Sequence, residues 1–450
     1  MNTIKAPNIS LQSGTFHVAM WGCQMNVYDA QRITDLMGAS GYAQRNDPRD
    51  ADVIILVTCA IRAKAQDKVF NQISNWKSQG VIRDDTVLAL GGCVGSELAD
   101  EIVRLEPAVS VVFGPRTAHR LPELIGRYHS ASGSVVDVDA DALEKFDTLP
   151  LQGMRGPSAF VTIMEGCSNN CSYCVVPFTR GGEDSRPVSH IREEVLHHIG
   201  NGVKEIHLLG QNVNSYRGLS DTGGMAGFST LLYEIAAIPG VERIRFTTSN
   251  PMEFTDDIIQ AIGELDVIAD SVHIPVQSGS DTILRKMKRT YSADDYRRLA
   301  DKLRKARPGV QISTDIIVGF PGESDDDFED TMRLVDDVRF DQSFSFIYSP
   351  RPGTPAASLA DATPREVKKQ RLYRLQKRLE ELAAMYSGRM VGTSQRVLVE
   401  GFSKKDRSEL KSRASNNRIV VFEGDESLIG QMADVRISRV LAHTLKGEII

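Results

Sequence analysis

Apolar positions along the chain fall into two regimes. As far as about residue 386, short apolar or alternating runs take turns with stretches whose apolar residues recur every three to four positions. That rhythm predicts strand–helix units and α/β architecture. Thr15–Trp21, Asp52–Val57, Val87–Leu90 and Val109–Phe113 read as strands, and Val27–Met37, Ile61–Trp76 and Ala118–Tyr128 as helices. Together they predict an open, mostly parallel α/β domain over 14–129. Ser130–Pro157 is polar, with scattered Gly, Asp and Pro, and reads as a linker. Six further units follow. Their strands are Phe160–Met164, Glu205–Leu209, Arg243–Thr247, Ser271–Pro275, Gln311–Val318 and Gln342–Tyr348. Their helices are Ser189–Ile199, Thr230–Ile238, Thr255–Leu265, Ala293–Arg304, Asp325–Val338 and Arg365–Tyr386. Six units fall short of the eight that close a barrel, so 153–384 is expected to be a partial (βα)6 barrel, open on one side. After Gly388 the pattern changes to the short strands Gln395–Glu400, Glu409–Arg413, Ile419–Phe422 and Met432–Arg439, a small all-β module over 387–450.

Composition adds bounds. The 450 residues are 41% hydrophobic and 25% charged, a globular balance. No apolar run reaches the roughly 18–20 residues of a membrane span. Met1–Gly14 lacks the apolar core of a secretory signal, so a cytoplasmic protein is expected. The net charge of −6 argues at first against a nucleic-acid partner, but its distribution changes that. Pro364–Ile450 carries 18 Lys/Arg against 11 Asp/Glu, and the rest of the chain 35 against 48. Lys368, Lys369, Arg371, Arg374, Lys377 and Arg378 crowd one helix, and Lys404, Lys405, Arg407, Lys411 and Arg413 follow. With the β-module they suit contacts to an RNA backbone, although a solvated basic helix would look the same.

The chemistry lies in six cysteines. Cys23, Cys59 and Cys93 each stand one to three residues past a predicted strand, and parallel strands bring such ends to one edge, where ligands bind. Three buried structural cysteines are the plain alternative. Cys167, Cys171 and Cys174 form C-x3-C-x2-C directly after the first strand of the barrel. Three thiolates can bind three irons of one cubane and leave the fourth iron open to chelate a small molecule. Zinc would want a fourth ligand; none is near, and His190 is too far along.

Cys167–Cys174 resembles the radical S-adenosylmethionine superfamily. Three further stretches, Cys174–Pro187 (containing Arg180, Glu183, Ser185 and Arg186), Leu208–Tyr216 (containing Gln211, Asn212 and Asn214) and Ile317–Glu323 (containing Gly319 and Gly322), resemble its methylthiotransferase family. The likeness runs from about Thr15 to the C-terminus, including a C-terminal TRAM barrel. The resemblance implies an enzyme with two 4Fe-4S clusters, one on Cys167, Cys171 and Cys174 and an auxiliary one on Cys23, Cys59 and Cys93. It implies reductive cleavage of S-adenosylmethionine, a radical that removes hydrogen from carbon 2 of isopentenylated adenosine 37 in the tRNA anticodon stem-loop, sulfur from the auxiliary cluster and a methyl group from a second S-adenosylmethionine. An electron donor such as flavodoxin or ferredoxin, iron–sulfur assembly proteins and a monomeric state are implied with it. An aromatic C–H bond is beyond acid–base chemistry at neutral pH, so the cofactor carries the hard step.

By position near strand ends, Gln211, Ser249, Gln277 and Asp315 are the candidate cofactor contacts, with Glu183 beside them. Gly319-Phe-Pro-Gly322 serves either a close ligand approach or a turn. Arg180 and Arg186 either face phosphate or form surface salt bridges. Three places depart from the family pattern: Val57 before Thr58-Cys59, Val94-Gly95-Ser96 after Cys93, and Asn250 before Pro251. The rival readings are a sibling methylthiotransferase acting on threonylcarbamoyl-adenosine in tRNA or on a ribosomal-protein aspartate, and a non-catalytic iron–sulfur RNA-binding protein. Two cysteine triads predict about eight irons per chain after anaerobic reconstitution; about four, unchanged by Cys23→Ala, would remove the N-terminal cluster from the account.

Overall fold

The computed structural model describes residues 14–59, 63–131, 133–151, 153 and 155–450; the expectations for Met1–Ser13 and for the start of the helix at Ile61 lie outside the described residues. Two compact units form. The first takes the chain through Gly153 with Glu165–Ser168 and Val175–Asp184; the second takes the stretch ending at Met164, Asn169–Cys174 and Ser185–Ile450.

The first unit contains β1 (Thr15–Trp21), α1 (Gln24–Ala39), β2 (Ala43–Gln44), β3 (Val53–Thr58), α2 (Ala63–Ser78), β4 (Val87–Gly92), α3 (Cys93–Leu105), β5 (Val111–Phe113), α4 (Leu121–Ser130), β6 (Val135–Asp137) and α5 (Ala142–Thr148). Its strands make one six-stranded parallel sheet in the order β2-β1-β3-β4-β5-β6. Strands β3 and β4 are buried at every position, as strands covered on both faces must be. Alternate residues supply opposite faces: Ile55 and Ala89 pack with Phe16 and Leu124, while Ile54, Leu56, Leu88 and Leu90 pack with Ile73 and Ile102.

The linker expected at Ser130–Pro157 is corrected. β6 extends the sheet beside β5, and α5 buries Lys145 completely. β6 is three residues long, and α5 turns a charged residue inward, so neither shows an apolar period. The helix α3, starting at Cys93 itself, is also absent from the elements that the apolar pattern predicts.

The second unit begins with β7 (Ser158–Thr162) and resumes after β8 (Met164–Glu165), α6 (Val176–Arg180) and β9 (Asp184–Ser185). It continues with α7 (Val188–Gly200), β10 (Glu205–Leu209), β11 (Arg217–Leu219), β12 (Met225–Gly227), α8 (Phe228–Ala236), β13 (Arg243–Phe246), α9 (Asp256–Glu264), β14 (Ser271–His273), α10 (Asp281–Lys286), α11 (Ala293–Ala306), β15 (Gln311–Ser313), β16 (Asp315–Val318), α12 (Asp325–Val338), β17 (Phe344–Ile347) and α13 (Arg365–Arg389). The parallel pairs β7–β10, β10–β13, β14–β15 and β16–β17, with bridges Ile244–Ile268 and Gln277–Ile316, trace an arc of six strand positions. The six expected units are therefore present. The strand expected over Gln311–Val318 breaks at Thr314, whose buried hydroxyl donates to Ile274 O and accepts from Val276 N, both at 2.8 Å.

The C-terminal strands β18 (Ser394–Phe402), β19 (Glu409–Ala414), β20 (Ile419–Glu423), β21 (Met432–Val440) and β22 (Leu445–Ile449) close a barrel in the order β18-β19-β20-β22-β21. The last strand adds to the four expected. This barrel is seated on the N-terminal ends of the α/β strands. Arg243 donates to the carbonyls of Arg413 (3.0 Å) and Arg396 (2.9 Å), and Arg245 to those of Ser415 (2.9 Å) and Ala414 (2.7 Å). Glu205 lies against both arginines, at 3.2 and 2.9 Å. Arg418 reaches back from the barrel to grip Asp341 with both terminal nitrogens, at 2.6 and 2.7 Å. All five side chains are buried.

Buried charges must be paired, so the C-terminal module is not freely removable. Truncation after Gly388 strips Arg243, Arg245 and Asp341 of their barrel partners and is expected to destabilise the α/β core as well as to delete the barrel. The point change Arg418→Ala leaves Asp341 buried without its cation and should cost about 3–5 kcal/mol, read as a lowered midpoint in chemical denaturation; an unchanged midpoint would contradict the seating.

Candidate active site

The register of the first sheet sets the N-terminal cysteines. Thr58 at the end of β3 pairs with Trp21 on one side and Gly92 on the other. Cys59 and Cys93 follow those two ends at once, and Cys23 follows Trp21 after one glycine. Cys59 and Cys93 are buried and Cys23 is half-buried. The Cys23 thiol is drawn down to about 6, first by its hydrogen bond with Cys59 and further by the Arg180 charge, against the effect of burial. Burial pushes the Cys93 thiol up, with Arg180 pulling the other way. Among the described residues no group of three or more His, Cys, Asp or Glu side chains meets the geometry of a bound metal ion. In a cubane each thiolate binds a different iron, and three thiols at one sheet edge beside an arginine are a donor set of that chemistry.

Close packing holds these strand ends. Asn26, fully buried in the first turn of α1, accepts from the Cys23 thiol (3.2 Å) and from its backbone N–H (3.3 Å), and donates to Thr58 O (3.4 Å). Gly92 has φ +83°, and a Cβ there would stand 2.5 Å from Thr58 O. Sequence reasoning passes over Asn26; its place three residues after Cys23, on a helix N-terminus, is the available signal.

The C-x3-C-x2-C loop is divided between the units. In the first unit, Cys167 N–H donates to Gly181 O at 3.1 Å, and Arg116 clamps the return segment through Arg180 O (2.7 Å), Gly182 O (2.9 Å) and Asp184 (2.8 Å). In the second, the Ser172 hydroxyl donates to Lys286 O at 2.8 Å, and Arg289 donates to the Tyr173 hydroxyl at 2.9 Å. All three thiols are half-buried.

The candidate cofactor contacts divide. Gln211 lies two residues past β10, and Ser249 three residues past β13. The Ser249 hydroxyl is buried without a hydrogen-bond partner, an orphaned polar atom of the kind a bound cofactor would satisfy. Gln277, at φ +70°, exchanges backbone hydrogen bonds with Asp315 and Ile317. Asp315 lies two residues past β15, where it opens β16, and faces His273 at 3.4 Å, whose other ring nitrogen meets the Ser313 hydroxyl at 2.9 Å. Nothing in the sequence pattern announces that three-residue chain. Glu183, in the first unit, is half-buried, its N–H donating to the Ser168 hydroxyl at 3.2 Å.

Three other readings are settled. Arg180 and Arg186 are both buried, so neither faces phosphate nor forms a surface pair: Arg186 pairs with Glu194 at 2.6 Å and donates to Thr162 O at 2.6 Å. The Gly319–Gly322 stretch is a turn pinned from within, with Gly319 N–H donating to Glu323 at 2.8 Å and Arg371 holding the same carboxylate at 2.7 Å. Asn250, the departure before Pro251, accepts from Met252 N–H through its side chain and donates its own N–H to the side-chain oxygens of both Asn212 and Asn214, so it organises the loops after β10 and β13.

Family comparison fits this layout. Residues 161–335 match the radical SAM superfamily, 15–114 the uncharacterized protein family UPF0004 and 388–450 the TRAM domain. A tRNA-2-methylthio-N(6)-dimethylallyladenosine synthase of Vibrio cholerae is 52% identical over 434 residues, spanning 96% of this chain and 92% of that one. The protein of the same name from Pseudoalteromonas translucida is 51% identical over 440 residues, 97% and 91%. The chain belongs to the tRNA-2-methylthio-N(6)-dimethylallyladenosine synthase family. It is a tRNA methylthiotransferase with radical S-adenosylmethionine chemistry. In fold it is also similar to the radical S-adenosylmethionine methyltransferase TsrM from Kitasatospora setae (TM-score 0.57, 14% identity, 77% and 74% covered) and to the cobalamin-dependent S-adenosylmethionine radical enzyme OxsB (0.51, 11%, 82% and 56%). No described helix is long and apolar enough to cross a membrane.

Family membership makes Asn26 testable. Asn26→Ala removes the group shared by Cys23 and Thr58. Loss of such a supporting hydrogen bond costs about 10–100-fold in metal affinity. Reconstituted Asn26→Ala is therefore expected to fall from about eight irons to about four, while it still cleaves S-adenosylmethionine.

Proposed function

We propose that this enzyme transfers a methylthio group to carbon 2 of N(6)-isopentenyladenosine at tRNA position 37. The observation that carries the reading is the identity of about half of all residues over nearly the whole chain with synthases named for dimethylallyladenosine. Two cysteine sets at strand C-terminal ends support it, because such edges are where parallel sheets bind ligands.

In this reading Cys167, Cys171 and Cys174 hold one 4Fe-4S cluster and Cys23, Cys59 and Cys93 a second. Bound S-adenosylmethionine supplies the radical and, from a second molecule, the methyl group. The chain's own residues position and shield. Gln211, Ser249 and Gln277 stand at the barrel edge where the cofactor would lie, with Asp315 and Glu183 as further candidates. Asn26 and Gly92 keep the sulfur site tight. Flavodoxin or ferredoxin as electron donor, iron–sulfur assembly proteins, a monomeric state and a cytoplasmic setting belong to the same proposal.

The RNA surface is narrower than the charge distribution suggests. Arg371 is buried against Glu323, Lys368 pairs with Asp361, and Arg374 and Arg378 are committed to Glu329 and Asp336. Lys411 and Arg413 share Glu400. Lys404, Lys405 and Arg407 stay exposed on the turn after β18, beside the exposed Phe402. An aromatic among cations suits an RNA strand. Replacing those three cations by alanine should lower the slope of log affinity against log salt by about 0.7–0.9 for each phosphate that is no longer neutralised, leaving cofactor cleavage intact.

Mass spectrometry of tRNA nucleosides from a deletion strain tests the substrate: 2-methylthio-N(6)-isopentenyladenosine should vanish and its unthiolated precursor accumulate. A loss confined to threonylcarbamoyl-adenosine or to a ribosomal-protein aspartate would replace the reading with a sibling activity. The triple change Cys23/Cys59/Cys93→Ala should form 5′-deoxyadenosine but no methylthio product. Methylthio product from that variant would place the sulfur elsewhere.

A further inference from the structure

Asp29, Lys145, Glu165 and Arg180, all in the first unit, form a closed ring of buried charges. Arg180 Nη2 meets Asp29 Oδ2 at 2.7 Å, and Asp29 Oδ1 meets Lys145 Nζ at 2.8 Å. Lys145 Nζ meets Glu165 Oε2 at 3.2 Å, and Glu165 Oε1 meets Arg180 Nη1 at 2.5 Å. Each carboxylate spends one oxygen on each cation. None of the four is more than 2% exposed. They come from α1, α5, the end of β8 and the end of α6, so no local sequence pattern joins them.

Burying four charges is costly, and a ring of this kind is weak grounds for stability alone. Its position suggests what it is for. Helix α6 packs on α3, which begins at Cys93, and Val175 shares an apolar cluster with Cys93 and Val94. From this position the charge of the Arg180 guanidinium pulls the Cys93 and Cys23 thiols down. Both of its terminal nitrogens are fixed by separate carboxylates, so its orientation towards the sulfurs is set by the ring. Arginine is not interchangeable with lysine here, because the planar fork gives each carboxylate its own nitrogen and so fixes the orientation of the charge, which a single ammonium nitrogen does not. The ring is also neutral in itself. Lys145 supplies the second positive charge that Asp29 and Glu165 require, and Arg180 is not left as an unpaired buried cation when the sulfur centre changes charge.

We propose that Arg180, held by Asp29, Lys145 and Glu165, is a positioning residue that directs positive charge at the Cys93 thiolate and raises the reduction potential of the N-terminal iron–sulfur centre. This rests on reading Cys23, Cys59 and Cys93 as a cluster site. Reduction adds an electron to an already anionic centre; a guanidinium beside a ligating sulfur stabilises that charge, as outer-shell hydrogen bonds to cluster sulfurs do.

The test uses full-chain protein with Cys167, Cys171 and Cys174 changed to Ala, so that only the N-terminal centre is reconstituted. About four irons in this background support the cluster reading, and none refutes it independently of Arg180. Two variants are then compared by redox titration followed by electron paramagnetic resonance: Arg180→Lys, and the charge-balanced pair Asp29→Asn/Arg180→Gln, which leaves Lys145 matched with Glu165. Both are expected to retain iron with a lower midpoint potential, the pair lower still because it removes the charge as well as the fork. In the enzyme with all six cysteines, Arg180→Lys should cut methylthio product per 5′-deoxyadenosine formed about tenfold or more. An unchanged midpoint in the charge-balanced variant with iron intact overturns the proposal. So does loss of iron from that variant, which would make the ring an element of folding only. If Arg180→Lys alone loses iron, the charge-balanced variant decides.

Discussion

Parallel strands that end together are the constraint on which the rest of this molecule depends. A parallel sheet sends every strand's C-terminus to one edge, so residues far apart in sequence meet there if each stands just past its strand. Cys23, Cys59 and Cys93 are separated by more than thirty residues each, yet the pairings Trp21–Thr58 and Thr58–Gly92 bring their positions level. Gln211 and Ser249 reach the edge of the second unit by the same rule. The opposite edge is left free for a different task, and the C-terminal barrel occupies it.

How much of this can be read from the chain follows from what leaves a periodic trace. Strands such as Glu205–Leu209 and helices such as Asp325–Val338 carry long apolar periods and lie where the pattern puts them. The cysteines are legible because thiol spacing encodes ligation. What stays hidden is built from polar residues turned inward. α5 reads as linker because its buried residue is Lys145. Asn26 looks like any helical asparagine. Arg180 and Arg186 read as surface charges because arginine usually is one. Such residues gain meaning only from their partners, and the partners of Arg180 lie 15 and 151 positions away.

The same reasoning explains the basic C-terminal segment. Its excess of positive charge is real, but most of it is matched against the acidic α/β core: Arg418 against Asp341, Arg371 against Glu323, Arg374 against Glu329 and Arg378 against Asp336. A net charge summed along a segment measures complementarity to the rest of the fold as much as affinity for an outside partner. Lys404, Lys405 and Arg407, exposed together on the turn after β18, stand outside these pairs.

The seat of the C-terminal barrel has a consequence for how the two parts can diverge. On the barrel, Arg243 and Arg245 take hold of main-chain carbonyls at Arg396, Arg413, Ala414 and Ser415. Every residue type offers the same carbonyl. With Arg418 kept for its grip on Asp341, the strands presented to the core are therefore free to drift in sequence, provided the backbone path is kept. Selection can rework the outer face of the barrel for different RNA shapes without renegotiating its attachment, much as a socket accepts any tool with the right shank.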